Sequence, residues 1–498
     1  MAARQLTTVL AAAFALISLA ASALAGSAST QIVPRLNKDG LSARDNRNFG
    51  AVPDTSGAIG RGHYLEAVIP RIALFDAKTL KLVAARDAYA FWHKSNTSQI
   101  VDPHVVWDSL ARRWYYVALF NGSGGANNQL LFAWTKRGRP TDLSDAWCRM
   151  SIRTGKLFPD FPKLGFSRNH IIIGTNMFDV DADRPEFLSA RIWVIGKPPS
   201  GRKTCARLRV TSFGSEADPL RRADGNLAFT PVPVDPVRPR GRAYVIAADC
   251  VFEPQGGEEP PPCGTPDRQA NQITVWHVDG ARGSPRLTRD GGVDVPGYRL
   301  PSPAPQRGTK TTVDTSDTRF YQAVSAPDPT RRLREAIWTQ HTVDGRGRRS
   351  EVRWYELDPR RLAVVRRGTV RDARDWTFSA AISPTARGDR AIVHYIVSGP
   401  DRLPQLRARS RGRGTPNGVM SGELTLARSA APLVADKCGA DPGEPCAWGD
   451  YAQATPDLRR PRVVWGSNEL VGSPKHAGPL GTYWRTRNFA LAAGRARR

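Results

Sequence analysis

The stretch that most constrains this chain is residues 102–119, DPHVVWDSLARRWYYVAL. An Asp-Pro opens it, Val105–Trp107 form a short strand, a turn begins at Asp108, and Trp114–Leu119 form a second strand. Apolar β-branched and aromatic runs split by a polar turn predict a β-hairpin. Looser versions recur: units of three or four short strands open at Asp102, Phe158, Phe229, Arg319, Trp376 and Trp448, with residues 63–92 a seventh. Repeated units of this kind predict an all-β chain folded as a single β-propeller. Seven blades are favoured, with six the alternative count and a tandem of β-sandwiches the alternative fold. In a propeller the first strand of each blade lines a central channel. Large aromatics must then fill the space between blades, a role open to the 13 Trp.

The N-terminus carries Arg4, an apolar run (VLAAAFALISL) and small residues at Ala23-Leu24-Ala25. This pattern predicts a signal peptide over residues 1–25; the run is short for a membrane anchor. Secretion follows as the expectation, with an extracellular or cell-surface location and no transmembrane span in the mature chain. Residues 26–62 read as a flexible polar arm, 63–490 as the propeller and 491–498 as a basic tail. Six Cys in an exported chain read as disulfides. Short loops favour Cys250–Cys263 and Cys438–Cys446, leaving Cys148–Cys205.

The formal charge is +26. Genome composition alone produces an arginine-rich chain. The functional reading is an anionic surface or polymer outside the cell, since such attraction is long-ranged and salt-sensitive. Intracellular nucleic-acid binding conflicts with export, and a monomer is expected.

The order of the unit openings resembles secreted bacterial β-propeller proteins of the sialidase-like superfamily, mostly of unassigned activity. The matching pieces are DPHVVWDSLARRWYYVAL, FPDFPKLGF from Phe158, Thr339-Gln340-His341 with Arg353-Trp354-Tyr355, WTFSAAIS from Trp376, and WGDYAQATPD with WGSNEL from Trp448. The resemblance implies the fold and not a reaction. The Ser-x-Asp-x-Gly-x-Thr-Trp repeats of true sialidases are missing, so no arginine triad or nucleophile carries over.

Propeller ligands sit where the first strands converge at one mouth of the channel. The catalytic candidates are therefore the carboxylates Asp102, Asp160, Asp450 and Glu469, from which a glycosidase would draw its pair. The ligand-binding candidates are His104, Lys163, Gln340, His341, Trp376, Tyr451 and Asn468. Against these stands a structural reading, in which Asp hydrogen-bonds nearby amides and Pro fixes strand entry. No cofactor is expected. Asp179, Asp181 and Asp183 alternate in the manner of Ca²⁺ ligands, but Arg184 and Ala190 stand where an EF-hand loop needs Gly and Glu, so a solvated acidic loop is the stronger reading. No GxSxG, HExxH or P-loop is present. The leading expectation is a protein that binds an extracellular glycan or acidic polymer at the channel mouth. A glycoside hydrolase or polysaccharide lyase using the mouth carboxylates is the alternative.

Overall fold

Seven antiparallel sheets of four strands follow one another around an axis in the computed structural model. It describes residues 30–45, 52–96, 98–122, 125–179, 186–199, 205–249, 269–434, 444–478 and 483–495. The innermost strands are Ser56–Ile59, Gln99–Asp108, Leu157–Phe166, Val232–Pro233, Ala323–Asp328, Trp376–Pro384 and Gln453–Pro456, for blades one to seven. Asp235–Pro236 adds a short parallel pairing that ties blade four to the innermost strand of blade five. In blades one to three and six, the sheet meanders outward in chain order. The protein is a seven-bladed β-propeller.

The apolar side chains divide by blade interface. Seven large buried clusters each draw on two neighbouring blades, including one that joins the seventh blade to the first. All 13 Trp of the sequence lie in or against these clusters, with Trp107 and Trp376 at their margins. Trp114 illustrates the arrangement. It is fully buried, its indole N–H reaches the Ala58 carbonyl of blade one at 3.4 Å, and its ring packs on Trp107 at 4.4 Å. Gly60 lies against the same ring, where a Cβ would fall 2.1 Å from it.

The ring closes where the sequence suggested loose ends. Thr30–Ser42 is not an arm: it pairs antiparallel with Trp484–Arg495 as the outermost strand of blade seven. Ser56–Ile59 is likewise the buried innermost strand of blade one. At the other end, residues 491–493 are buried within the last strand, not part of a tail. An outer strand needs apolar residues only where it meets the neighbouring blade, here Leu36 and Leu41, so its composition reads as polar. Ser56–Ile59 is small and polar because it faces a crowded axis.

Cys148 and Cys205 form a disulfide that ties the outer strand of blade two to the segment after the third strand of blade three. Cys446 is also disulfide-bonded. Cys250, Cys263 and Cys438 lie outside the described residues, as do Asp181 and Asp183. Among the described residues, no group of His, Cys, Asp and Glu is arranged to hold a metal ion, and no helix is long and apolar enough to cross a membrane.

Candidate functional site

The innermost strands share a device at their entrance end. Asp54, Asp102, Phe161, Thr230 and Ser379 all adopt positive φ, between 43° and 56°. In blades two, three and six the ladder skips two residues there. This left-handed backbone is costly for non-glycine residues, on the order of 1–3 kcal/mol each, and persists only where its surroundings enforce it. Here side chains from neighbouring blades do so. Asp102 accepts from the Phe161 N–H at 3.0 Å and Asn176 from the Thr230 N–H at 2.7 Å, and Asp54, itself left-handed, accepts from the Asp450 N–H of blade seven at 2.8 Å. Asn468 donates to the Ser379 carbonyl at 2.7 Å.

Below the entrance the axis is occupied by amide side chains. Gln453 donates to the Val105 carbonyl at 2.8 Å and accepts from the Gly57 N–H at 3.0 Å, joining blade seven to blades two and one. Gln322 accepts from the Ala454 N–H at 2.8 Å, joining blade five to blade seven. These links give the entrance a floor.

The bulges turn a charged group into that cup. Lys163 is fully buried, with Nζ 3.0 Å from the centroid of the Tyr451 ring and 3.6 Å from that of Phe161. Its ammonium has no hydrogen-bond partner among the described residues. Burial pushes its pKa well below the usual lysine value, against the opposing pull of Asp102, Asp450 and Asp54. Arg319 pairs with Asp317 at 2.5 Å and lies over Phe161 and Phe229, at 4.7 and 5.4 Å. Burial opposes its charge, but Asp317, Asp450 and Asp160 together raise its pKa.

Six carboxylates, Asp54, Asp102, Asp160, Asp314, Asp317 and Asp450, thus converge on two cations. Burial pushes Asp102 up to about 7, reinforced by Asp160 and Asp450. It pushes Asp160 to about 6 despite Arg319, and Asp314 to about 6 with help from Asp450. Asp450 is raised by burial against the pull of Arg319 and Lys163. Asp102, Asp160, Asp314, Asp317, Asp450 and Arg319 keep partial exposure, whereas Asp54 and Tyr451 are buried beneath them. The cup therefore offers carboxyl groups that exchange protons near neutrality, a fixed guanidinium and aromatic walls.

Asp102, Asp160, Lys163, Asp450 and Tyr451 meet here, His104 lies beside the Tyr451 ring with centroids 6.3 Å apart, and the remaining sequence candidates make structural hydrogen bonds. His104 is buried and accepts from the Leu164 N–H at 2.7 Å. Gln340 latches blade five to blade six, donating to Ala380 O and accepting from Ile382 N at 2.8 and 3.1 Å. His341, pushed down to about 3 by burial, bridges Thr318 O and Tyr355 Oη. Glu469 accepts from the Gly449 N–H at 2.9 Å, and the Trp376 indole donates to Ser302 Oγ at 3.1 Å. Sequence reasoning missed Asp54, Asp314, Asp317, Arg319 and Tyr321. The charged run Asp314-Thr-Ser-Asp317-Thr-Arg319 immediately before a strand was the available signal.

No protein-family profile matches this chain, and no curated protein matches it. Solved structures similar to it include a point variant of Synechocystis apocarotenoid oxygenase, at 9% identity over 76% of this chain and 73% of that one, with a TM-score of 0.44. The Dos1 propeller is similar at 10% identity, 93% and 95% coverage and a TM-score of 0.40. An α-L-arabinofuranosidase from Fusarium graminearum is similar at 12% identity, 79% and 98% coverage and a TM-score of 0.40. The fold assignment rests on the sheet order itself.

Proposed function

We propose that this is an exported propeller whose entrance cup binds a glycan, with Asp160, Asp450 and Arg319 gripping sugar hydroxyls. The observation that carries this reading is the gathering of partly exposed carboxyls and a guanidinium against the aromatic rings of Phe161, Tyr321 and Tyr451. Six carboxylates around two cations favour a neutral glycan over an acidic polymer at this mouth. The Cys148–Cys205 disulfide supports an oxidising location. A glycan array probed with the protein tests the proposal: discrete neutral glycans should bind wild type and fail to bind Asp160→Asn and Asp450→Asn. Equal binding by both variants would contradict it.

A second reading, glycoside hydrolysis, is favoured by one observation. Burial raises both Asp160, to about 6, and Asp450, the two carboxyls act on one another, and Arg319 and Lys163 draw both down. Two interacting carboxyls release their protons in separate steps, and a glycosidase uses such a pair as acid and base or nucleophile. Turnover of a bound glycan by wild type, abolished in Asp160→Asn, would select hydrolysis over binding.

A further inference from the structure

The far end of the axis is chemically opposite to the entrance. The innermost strands run from the carboxylate cup to seven turns, each leading to the second strand of its blade. Every one of these turns presents at least one exposed arginine: Arg61 in blade one, Arg112 in blade two, Arg459 in blade seven, and counterparts in the other four. No Asp or Glu in these turns is exposed. Three acids at these turns face inward and cap turn amides, and Asp389 holds the Thr385 hydroxyl and Arg390. Asp108 accepts from Leu110 and Ala111, Asp328 from Thr330, and Asp457 from Arg459 and Arg460, at 2.8 to 3.1 Å. These carboxylates are structural; Arg460, Arg390 and Arg331 pair with acids, whereas Arg61, Arg112 and Arg459 are left to the solvent.

Two further features accompany the arginines. Leu110, Leu333 and Leu458 are 56%, 52% and 36% exposed, and all three are turn-tip residues on this same face, in blades two, five and seven. Each stands within two residues of an exposed arginine. Between blades seven, one and two lies a cavity of about 320 Å³, lined by Arg61, Arg112, Arg459 and Trp107, together with Asp457, whose carboxylate is taken up by the Arg459 and Arg460 amides and the Arg460 guanidinium. Among the described residues, none of these three guanidiniums has a carboxylate partner.

We propose that the exit face docks flat on an anionic phospholipid surface, with the cavity taking one phosphate headgroup. Charge complementarity identifies the partner, because arginine forks match phosphate oxygens and the seven turns hold no exposed acid, with Asp145 in the outer turn of blade two the exposed carboxylate beside them. The leucines distinguish a membrane from a soluble polyanion. Apolar tips spread around a basic rim enter the headgroup boundary, as interfacial side chains do, whereas a polysaccharide or nucleic acid gives them no partner. Trp107 in the cavity wall suits the same boundary, where aromatic rings with one polar edge collect. The reading explains where much of the excess arginine sits, and it is independent of the ligand at the entrance.

Co-sedimentation of the full mature chain with vesicles tests the proposal, using phosphatidylcholine alone and phosphatidylcholine with phosphatidylglycerol. Wild type should bind the anionic vesicles at least about tenfold more tightly, with the difference shrinking as salt rises. The Arg61→Glu/Arg112→Glu/Arg459→Glu variant should lose this binding. The Leu110→Ser/Leu333→Ser/Leu458→Ser variant should weaken it about tenfold while keeping any binding to soluble polygalacturonate. These residues are exposed, so both variants should melt like wild type. They should also keep wild-type signals on the glycan array, which separates failure at this face from failure at the entrance. Vesicle affinity indifferent to phosphatidylglycerol would overturn the proposal. So would full affinity in the leucine variant, and tight polygalacturonate binding alongside it would assign the face to a soluble polyanion.

Discussion

The carboxylate of Asp102 accepts a hydrogen bond from the backbone N–H of Phe161 at 3.0 Å, across the boundary between blades two and three. The two residues occupy equivalent positions in their blades, both with positive φ, at 56° and 55°. Asp102 therefore anchors the turn that carries Phe161 and, two residues later, Lys163. Replacing Asp102 with Ala strands a buried N–H, at a cost of about 1–3 kcal/mol. Thermal denaturation should show this loss, with Asp102→Asn less affected because its amide oxygen can still accept. Equal melting temperatures for Asp102→Ala and wild type would remove the anchor role.

A second carboxyl reports burial through pH. Asp235, on the exit side of blade four, is pushed up to about 7, first by burial and then by Asp108, against the pull of Lys197. Its folded-state pKa lies above the ordinary value of 3.8. Its contribution to stability is therefore fully present below about pH 4 and is lost as pH rises through about 7. Asp235→Asn cannot ionise and should gain on wild type between pH 5 and pH 8, on the order of 2 kcal/mol. Urea midpoints at the two pH values measure the change, and a constant difference between the proteins would refute it.

Closure of the ring predicts that the N-terminal strand is indispensable. Removing residues 1–42 deletes the partner of Trp484–Arg495 and exposes the apolar surface that Leu36 and Leu41 cover. The truncated chain should melt well below the protein that keeps Thr30–Ser42 or be recovered as aggregate. A truncated protein with an unchanged melting curve would contradict the closure.

Between the blades, Trp114→Ala should cost about 3–5 kcal/mol, the range for deleting a buried aromatic ring. The same change at the partly exposed Trp107 should cost less, and chemical denaturation of the two variants side by side measures the difference.

The blade count was readable because interface residues repeat. WYYVAL, IIIGTNMF and AIVHYIVS are buried on both faces and carry that burial as largely apolar runs. The closing strand was not readable in this way, since Thr30–Ser42 meets its neighbours on a narrow stripe and leaves the rest exposed. In the site, a polar residue beside a blade opening has two uses that look alike in sequence. Gln340 and Asn468 satisfy backbone groups of the next blade, whereas Asp160 and Asp450 face the cup. Which use applies depends on whether a positive-φ residue in the adjacent blade leaves an amide or carbonyl to be satisfied, and that requires knowing which strands are neighbours. Arg319 and Asp54 escaped notice for the same reason: they reach the cup only once the ring has closed.

The central claim, that the cup of Asp160, Asp450 and Arg319 is a glycan-binding site, is tested most directly by isothermal titration of an array-selected glycan into wild type and Asp450→Asn at pH 7. The account predicts saturable binding to wild type, at least about tenfold weaker in a variant that melts normally. Equal affinity in the two proteins would contradict it.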